Sequence, residues 1–447
     1  MNTQPTMKRL TEPERALLLR LLAIGPAAEA DAHPARPVDW SAVLDAVAVA
    51  LGPLVARGIA QGRAGPEVPP EVTRRLQATT AMLAATHARR QAALRTVCHA
   101  LADATIPTIV LKGAALAHLV YPDPILRPMR DLDLWVPSAR LDDAVAALAP
   151  HGFRHPADHA LRPEIIRSPE GRILETPEHR ARVELHARLE SLAGVAWARF
   201  ETAWDASEPA SLGGIAARVL CPEHLLTHLC LHLSRAHAFD LPLLHLLDIA
   251  HVTRRWAERW DWPCMVRDWR EQRVAAWMLL GLALPRDLLG AHVPEDLEAR
   301  VGVPADWSTM RALAKARLWA QRGQRLPGAA VEVLRQGSGA NRLRWLRRRF
   351  FDHYWRPPEP RGALALVLGA GRRLWYDLRV KVPKYLVAWQ RGALRGPGLE
   401  HGIALERDRA ELERLVVAAG DLGYPTSPGA TGPAGLSHAI AGPPPPR

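Results

Sequence analysis

Between Glu71 and Ala104 the chain runs without proline or glycine, and its apolar positions recur every three or four residues. That period predicts one long helix or two in succession. The texture then changes within a few residues. TIPTIVLKG is rich in β-branched residues, closes on glycine and predicts a buried strand. AALAHLVYP predicts a short helix, stopped by PDP. RDLDLWVP alternates polar and apolar positions, the two-residue period of a second strand. SARLDDAVAALAPHGF predicts a helix with Ser138 as its N-cap. GRILETPEHRARVELHARLE reads as a hairpin of two strands around TPEH.

Strand, helix, strand, helix and hairpin compose a small α/β (α+β) domain with a mixed sheet, expected over 71–214. Past Cys221 the stretches PEHLLTHLCLHLSRAHAF, LPLLHLLDIAHVTRRWAERW and CMVRDWREQRVAAWMLLGLAL are helical in period and tryptophan-rich. They predict a mostly α-helical domain over 215–420. Residues 1–70 read as helical pieces broken by IGPAAEADAHPARPVDW and GRAGPEVPP. The final segment, 421–447, is rich in proline and glycine with little to bury, and is expected to be disordered.

Composition narrows the classes. A chain of 447 residues, 48% hydrophobic and 23% charged, suits a globular protein of two or three domains. No apolar run approaches the ~20 residues that span a bilayer. The opening MNTQPTMKRLTEPE lacks the apolar core of a secretory signal, so a cytoplasmic location is expected. Cys98, Cys221, Cys230 and Cys264 form no close pair, which argues against a zinc knuckle or a redox dithiol. The net charge of +12 suggests an anionic partner. Nearly all of that positive charge is arginine, the pattern of a GC-rich coding bias, with lysine only at 8, 112, 315, 381 and 384. Lys112 is thus a rare residue placed at the most motif-like point of the chain.

The candidate chemistry lies in VLKGAALAHLVYPDPILRPMRDLDLWVP. In a strand Asp131 and Asp133 share a face while Leu132 and Leu134 take the other. Two carboxylates that close repel one another unless a cation binds between them, and Mg²⁺ (or Mn²⁺) with oxygen ligands fits. Upstream, Lys112-Gly113-Ala114 joins a strand to a helix: free N–H groups, a glycine and a point charge suit a polyphosphate. Arg127 and Arg130 are placed to clamp phosphate oxygens. The plainer alternative makes Lys112 and these arginines solvated charges, or a structural ion pair with Asp131. Phosphoryl transfer calls for a third carboxylate. Alternation on RVELHARLE puts Arg182, Glu184 and His186 on one face, so Glu184 is the choice over Glu175, with His186 assisting proton transfer or orienting Glu184.

These residues resemble the polymerase-β-like nucleotidyltransferases, and within them an uncharacterised bacterial nucleotidyltransferase family. Leu-Lys-Gly-x-Ala, Tyr-Pro-x-Pro, an arginine ahead of Asp-x-Asp-Leu, then Glu184-Leu185-His186 and Leu246-Leu247-Asp248-Ile249 carry the resemblance over roughly 80–255. It implies Asp131 and Asp133 as metal ligands, Glu184 as the third carboxylate and Gly113 with its neighbours as the triphosphate turn. The superfamily's usual Gly-Gly or Gly-Ser is here Lys112-Gly113-Ala114, with Lys112 standing in for the serine hydroxyl. The implied reaction is attack of an acceptor on the α-phosphate of an NTP with release of pyrophosphate. The acceptor, whether small molecule, tRNA or protein, is not named by the sequence.

Two alternatives belong to other classes. One keeps the fold but not the catalysis, as a basic RNA- or protein-binding module. The other is a zinc enzyme built on His224, His228 and His232, which fall at i, i+4 and i+8 on one helical face, although no glutamate sits between them as a metalloprotease motif requires. Histidines lining a domain interface or cleft are the commoner meaning of that spacing, with Asp248 capping or pairing with one of them. His228 and Asp248 are therefore accessory candidates. Finally, the arginines and aromatics interleaved over 341–395 suit a nucleic-acid surface or an anionic membrane, or a plain amphipathic helix.

Overall fold

The computed structural model describes residues 10–24, 38–65, 68–156, 167–168, 171–176, 181–189, 192, 195–240, 243–320 and 396–419. The basic-aromatic region 341–395 and the tail 421–447 lie outside them.

Three helices lead the chain: α1 (Glu12–Leu22), α2 (Trp40–Ala60) and the long α3 (Pro70–Asp103) that the proline-free stretch predicts. Strand β1 (Ile109–Val110) runs into α4 (Lys112–Leu119). Strand β2 (Leu132–Trp135) and α5 (Leu141–Leu148) follow, then β3 (Arg167–Ser168) and the hairpin strands β4 (Gly171–Thr176) and β5 (Ala181–His186). Helix α6 (Phe200–Ala206) precedes β6 (Glu208–Ser211) and β7 (Ala216–Val219). The rest is helical: α7 (Pro222–Leu231), a π-helical turn His232–Ala236, α8 (Leu243–Arg255), α9 (Trp262–Glu271), α10 (Ala275–Leu289), α11 (Leu297–Val301), α12 (Trp307–Trp319) and α13 (Gly396–Ala418).

The fold is thus an α+β core with a mixed sheet joined to a helical part. The seven strands order as β3-β4-β5-β2-β1-β7-β6. β2 runs parallel to β5, in a register that sets Leu132 beside Val183, Asp133 beside Glu184 and Trp135 beside His186. β1 is antiparallel to β2 and parallel to β7. β6 and β7 were not legible, because EPAS and AARV carry neither apolar alternation nor a β-branched run. β7 takes the sheet past residue 214, where the sequence had placed the domain boundary.

The sheet is buried on both faces, and the alternation of β2 sorts its residues between them. Val110, Leu132, Leu134, Val136, Val183 and Leu185 pack with Leu94, Val97 and Leu101 of α3 and Leu141 and Leu148 of α5. Ile109, Leu111 and Trp135 face the opposite core, which the helical part fills together with α1 and α2. Trp135 is fully buried and meets Phe200 edge to face at 5.5 Å. Asp133 shares the Trp135 side of the strand. The face on which the carboxylates stand is therefore roofed by helices.

Two local expectations change. Ser138 does not cap α5; a 3₁₀ turn intervenes, and its hydroxyl donates to the Ala187 carbonyl at 3.0 Å, because the end of β5 passes alongside. The stretch CMVRDWREQRVAAWMLLGLAL, helical in period, breaks after Glu271, where Arg273 takes φ +57°, and resumes as α10. Among the described residues the four cysteines are free, and no helix is long and apolar enough to cross a membrane.

Candidate active site

The site is assembled where β1 ends beside Asp133 of β2 and Glu184 of β5. Leu111 N donates to the Asp133 carbonyl at 2.9 Å, extending the ladder by one residue, and the chain then turns into α4 through Lys112 at φ +44°. A lysine in that left-handed region is held there at a cost of about 1–2 kcal/mol. What holds it is Asp133: Lys112 Nζ donates to Asp133 Oδ1 at 2.8 Å, with the lysine side chain 18% exposed and the aspartate 6%. His186 Nε2 lies 2.8 Å from the same oxygen. Asp133, Glu184 and His186 bring one ligand atom each within 4.8 Å of one another, and among the described residues no other trio of His, Cys, Asp or Glu does so.

Charge decides how the three carboxylates differ. Burial by itself raises the Asp133 pKa, but Lys112 and the His186 hydrogen bond outweigh it and hold the group well below the usual carboxylate range. Asp131 is raised by burial and then by Asp133, and Glu184 by burial and then by Asp133 and Asp131. Burial opposes the Lys112 charge; Asp133, followed by Glu184 and Asp131, more than restores it, and its pKa rises. One carboxylate is thus firmly ionised, while its two neighbours bind protons more readily than free side chains. A pair of hard oxygen donors beside an imidazole, with uncompensated negative charge, fits a divalent cation.

Asp131 sits at the entry to β2, within electrostatic reach of Arg90, Lys112 and Arg182, but outside the 4.8 Å group; His186 stands in its place there. His186 orients Asp133 rather than Glu184, because the β2–β5 register places it beside Trp135, one pleat beyond Asp133. Glu175, the competing carboxylate, is taken by Arg182 at 2.6 Å.

The expected phosphate clamp is divided. Arg130 is exposed. Arg127 is buried and meets Asp248 instead: Nε and Nη2 donate to the two carboxylate oxygens at 2.6 and 2.7 Å, and Nη1 donates to the Pro128 carbonyl at 2.8 Å. Its fork is spent inside the protein, so it has little left to offer a phosphate. Tyr121 O–H donates to Asp248 at 2.8 Å, and His251 packs on the Tyr121 ring at 4.2 Å. Asp248, at 0% exposure, therefore serves Arg127 and Tyr121 and not the histidines of α7. Gly113 is explained by this arrangement, since a β-carbon there would stand 3.1 Å from Met129 Cβ and 3.2 Å from Arg127 Nη1. Ala114 is packed at 1% exposure, so what this turn can present to a ligand is backbone N–H at the start of α4, where no side chain caps the helix.

The histidines of α7 separate by environment. His224 stacks on Trp197 at 4.4 Å. His228 is 1% exposed, and neither ring nitrogen has a hydrogen-bond partner. Burial, then Lys112, brings its pKa down to about 3, with Asp133 and His186 also felt. It is thus a neutral imidazole on the roof of the site. His232 contacts the rings of His228, His237 and His245 at 4.6–5.9 Å. No ligand trio forms among them, which removes the structural basis of the zinc alternative among the described residues. Sequence reasoning missed Arg90 and Tyr121 as partners of the site; Tyr121 stood in the Tyr-Pro-x-Pro segment, whereas nothing local marks Arg90.

No curated protein matches the chain. A family model described as uncharacterised nucleotidyltransferase matches residues 36–290, which contain the sheet, Lys112, all three carboxylates and the Arg127–Asp248 pair. With more than half of the chain covered, this protein belongs to that nucleotidyltransferase family.

Proposed function

We propose that the protein transfers the nucleoside monophosphate of an NTP to an acceptor, releasing pyrophosphate, with Asp131, Asp133 and Glu184 as the acidic machinery and His186 as the orienting partner of Asp133. The observation that carries this reading is the parallel register of β2 and β5, which sets Asp133 and Glu184 side by side at the mouth of α4. Mg²⁺ or Mn²⁺, when bound by these groups, offsets charge on the phosphate oxygens and lowers the pKa of the acceptor.

The chain's own residues do the rest. The N–H groups opening α4 receive phosphate oxygens, and exposed Arg130 meets the triphosphate from the loop. Glu184, whose pKa is raised, is suited to take the proton of the acceptor hydroxyl. The acceptor oxygen bonds to the α-phosphorus as the bond to the bridging oxygen breaks, and the electrons leave with pyrophosphate. The roof carrying His228 excludes water from the reacting phosphate. Small molecule, tRNA and protein all remain as acceptor classes.

Incubation with each α-labelled NTP and a cell lysate tests the reading: label should appear on RNA, protein or a small molecule, and should vanish with Asp131→Asn. A second reading keeps the fold as a binding module without catalysis; it is favoured by the Lys112 ammonium already seated on Asp133. Under that reading no α-label is transferred, and biological function survives both Asp131→Asn and Asp133→Asn.

A further inference from the structure

Phosphoryl-transfer sites commonly hold two divalent ions between acidic side chains. In this chain the central carboxylate is already engaged. Asp133 Oδ1 takes Lys112 Nζ and His186 Nε2, each at 2.8 Å. The ammonium is not a loose surface charge: its residue opens α4 in a left-handed conformation, and its side chain is mostly covered. It acts electrostatically on Asp133, Glu184 and Asp131 together. Behind it stand neutral His228 and His232, which offer no anion to draw it away. Arg127, another cation close to this turn, is committed to Asp248.

We propose that Lys112 is a built-in cation that takes the place of one of the two metal ions, so that the chain binds a single divalent ion, on Glu184 and the free side of Asp133. The inference rests on the metal-dependent reading above and narrows it. Charge agrees in direction: the ammonium offsets part of the negative charge of Asp133, Glu184 and Asp131, as Arg90 and Arg182 do at Asp131, so less is left for metal ions to neutralise. A second ion would stand beside the tethered ammonium, where like charges repel at short range. A cation delivered by the backbone needs no binding equilibrium of its own.

The test counts ions on the full-length protein. Mn²⁺ is titrated by electron paramagnetic resonance and calorimetry, alone and with each of the four α,β-methylene ribonucleoside triphosphates. One Mn²⁺ per chain, with a mononuclear six-line spectrum in the presence of nucleotide, is expected. Lys112→Met should admit a second Mn²⁺, giving a spin-coupled, broadened signal. Two ions in the wild-type chain, or one ion in both the wild-type chain and Lys112→Met, overturns the proposal while leaving nucleotidyl transfer standing. Should Lys112→Met not fold, the wild-type count decides alone. Absence of Mn²⁺ binding under every condition removes the metal-dependent reading itself, and this inference with it.

Discussion

Asp133 and Glu184 are neighbours across a parallel ladder, yet their environments pull their protonation in opposite directions. Their amide variants should therefore separate activity from stability. Asp133→Asn leaves the covered Lys112 with only the weaker pull of Glu184 and Asp131, which should lower stability in chemical denaturation as well as abolish label transfer. Glu184→Gln removes a charge that burial and Asp133 disfavour. It should reduce transfer by a factor on the order of 10² or more while leaving the metal-free protein as stable as the wild type or more so. Equal destabilisation by both variants would contradict this account of the charges. His228 gives a pH signature. Its folded pKa of about 3 lies below the unfolded value of 6.5, so between these limits the unfolded chain binds a proton that the folded chain does not. Stability should fall as pH drops through that window, by about 1.4 kcal/mol per pH unit from this group. His228→Leu should make the acid limb of the stability curve shallower by that amount.

At the level of elements, the buried Arg127–Asp248 pair fastens α8 to the segment that joins α4 to β2, and Tyr121 adds a third bond to the same carboxylate. The segment in turn presses on Gly113. Asp248→Ala should destabilise by about 3–5 kcal/mol, since it strands a buried guanidinium. The double variant Arg127→Met with Asp248→Leu should recover a large part of that loss, because no charge is left without a partner; a double-mutant cycle by urea denaturation reads the coupling. A purely additive cycle would mean that the pair does not tie these elements together. The Asp-x-Asp strand and the Glu-Leu-His strand were legible from local alternation over a few residues. This latch was not, because partners 121 residues apart leave no periodic trace; Arg127 and Asp248 each read as a residue in search of a ligand or a histidine.

For the molecule as a whole, the sheet is a shared wall between two cores, and Trp135 and Leu134 of one strand belong to different sides of it. Neither core can lose the sheet and remain intact. Unfolding of the described α+β and helical parts should therefore be one transition, with tryptophan fluorescence and far-ultraviolet circular dichroism coincident in urea. Two resolved transitions would show the helical part to be an independent unit. Trp135→Ala, which empties the wall at its most buried ring, should lower the single midpoint by about 3–5 kcal/mol of stability.

What local patterning determined by itself was the set of elements around the site and the residues that carry charge on them: a two-residue period places Asp133 on one face of β2 with Asp131 just ahead of it at the strand's entry, and Glu184 and His186 on one face of β5, whatever surrounds them. Only the tertiary structure decided which strands lie adjacent, that Lys112 spends its charge on Asp133, that Arg127 turns away to Asp248, and that a helical layer with a neutral histidine closes over the carboxylates. The reason is range. Backbone geometry repeats within a few residues and so is written locally, whereas ion pairing and burial depend on which distant segments the fold brings within a few ångströms.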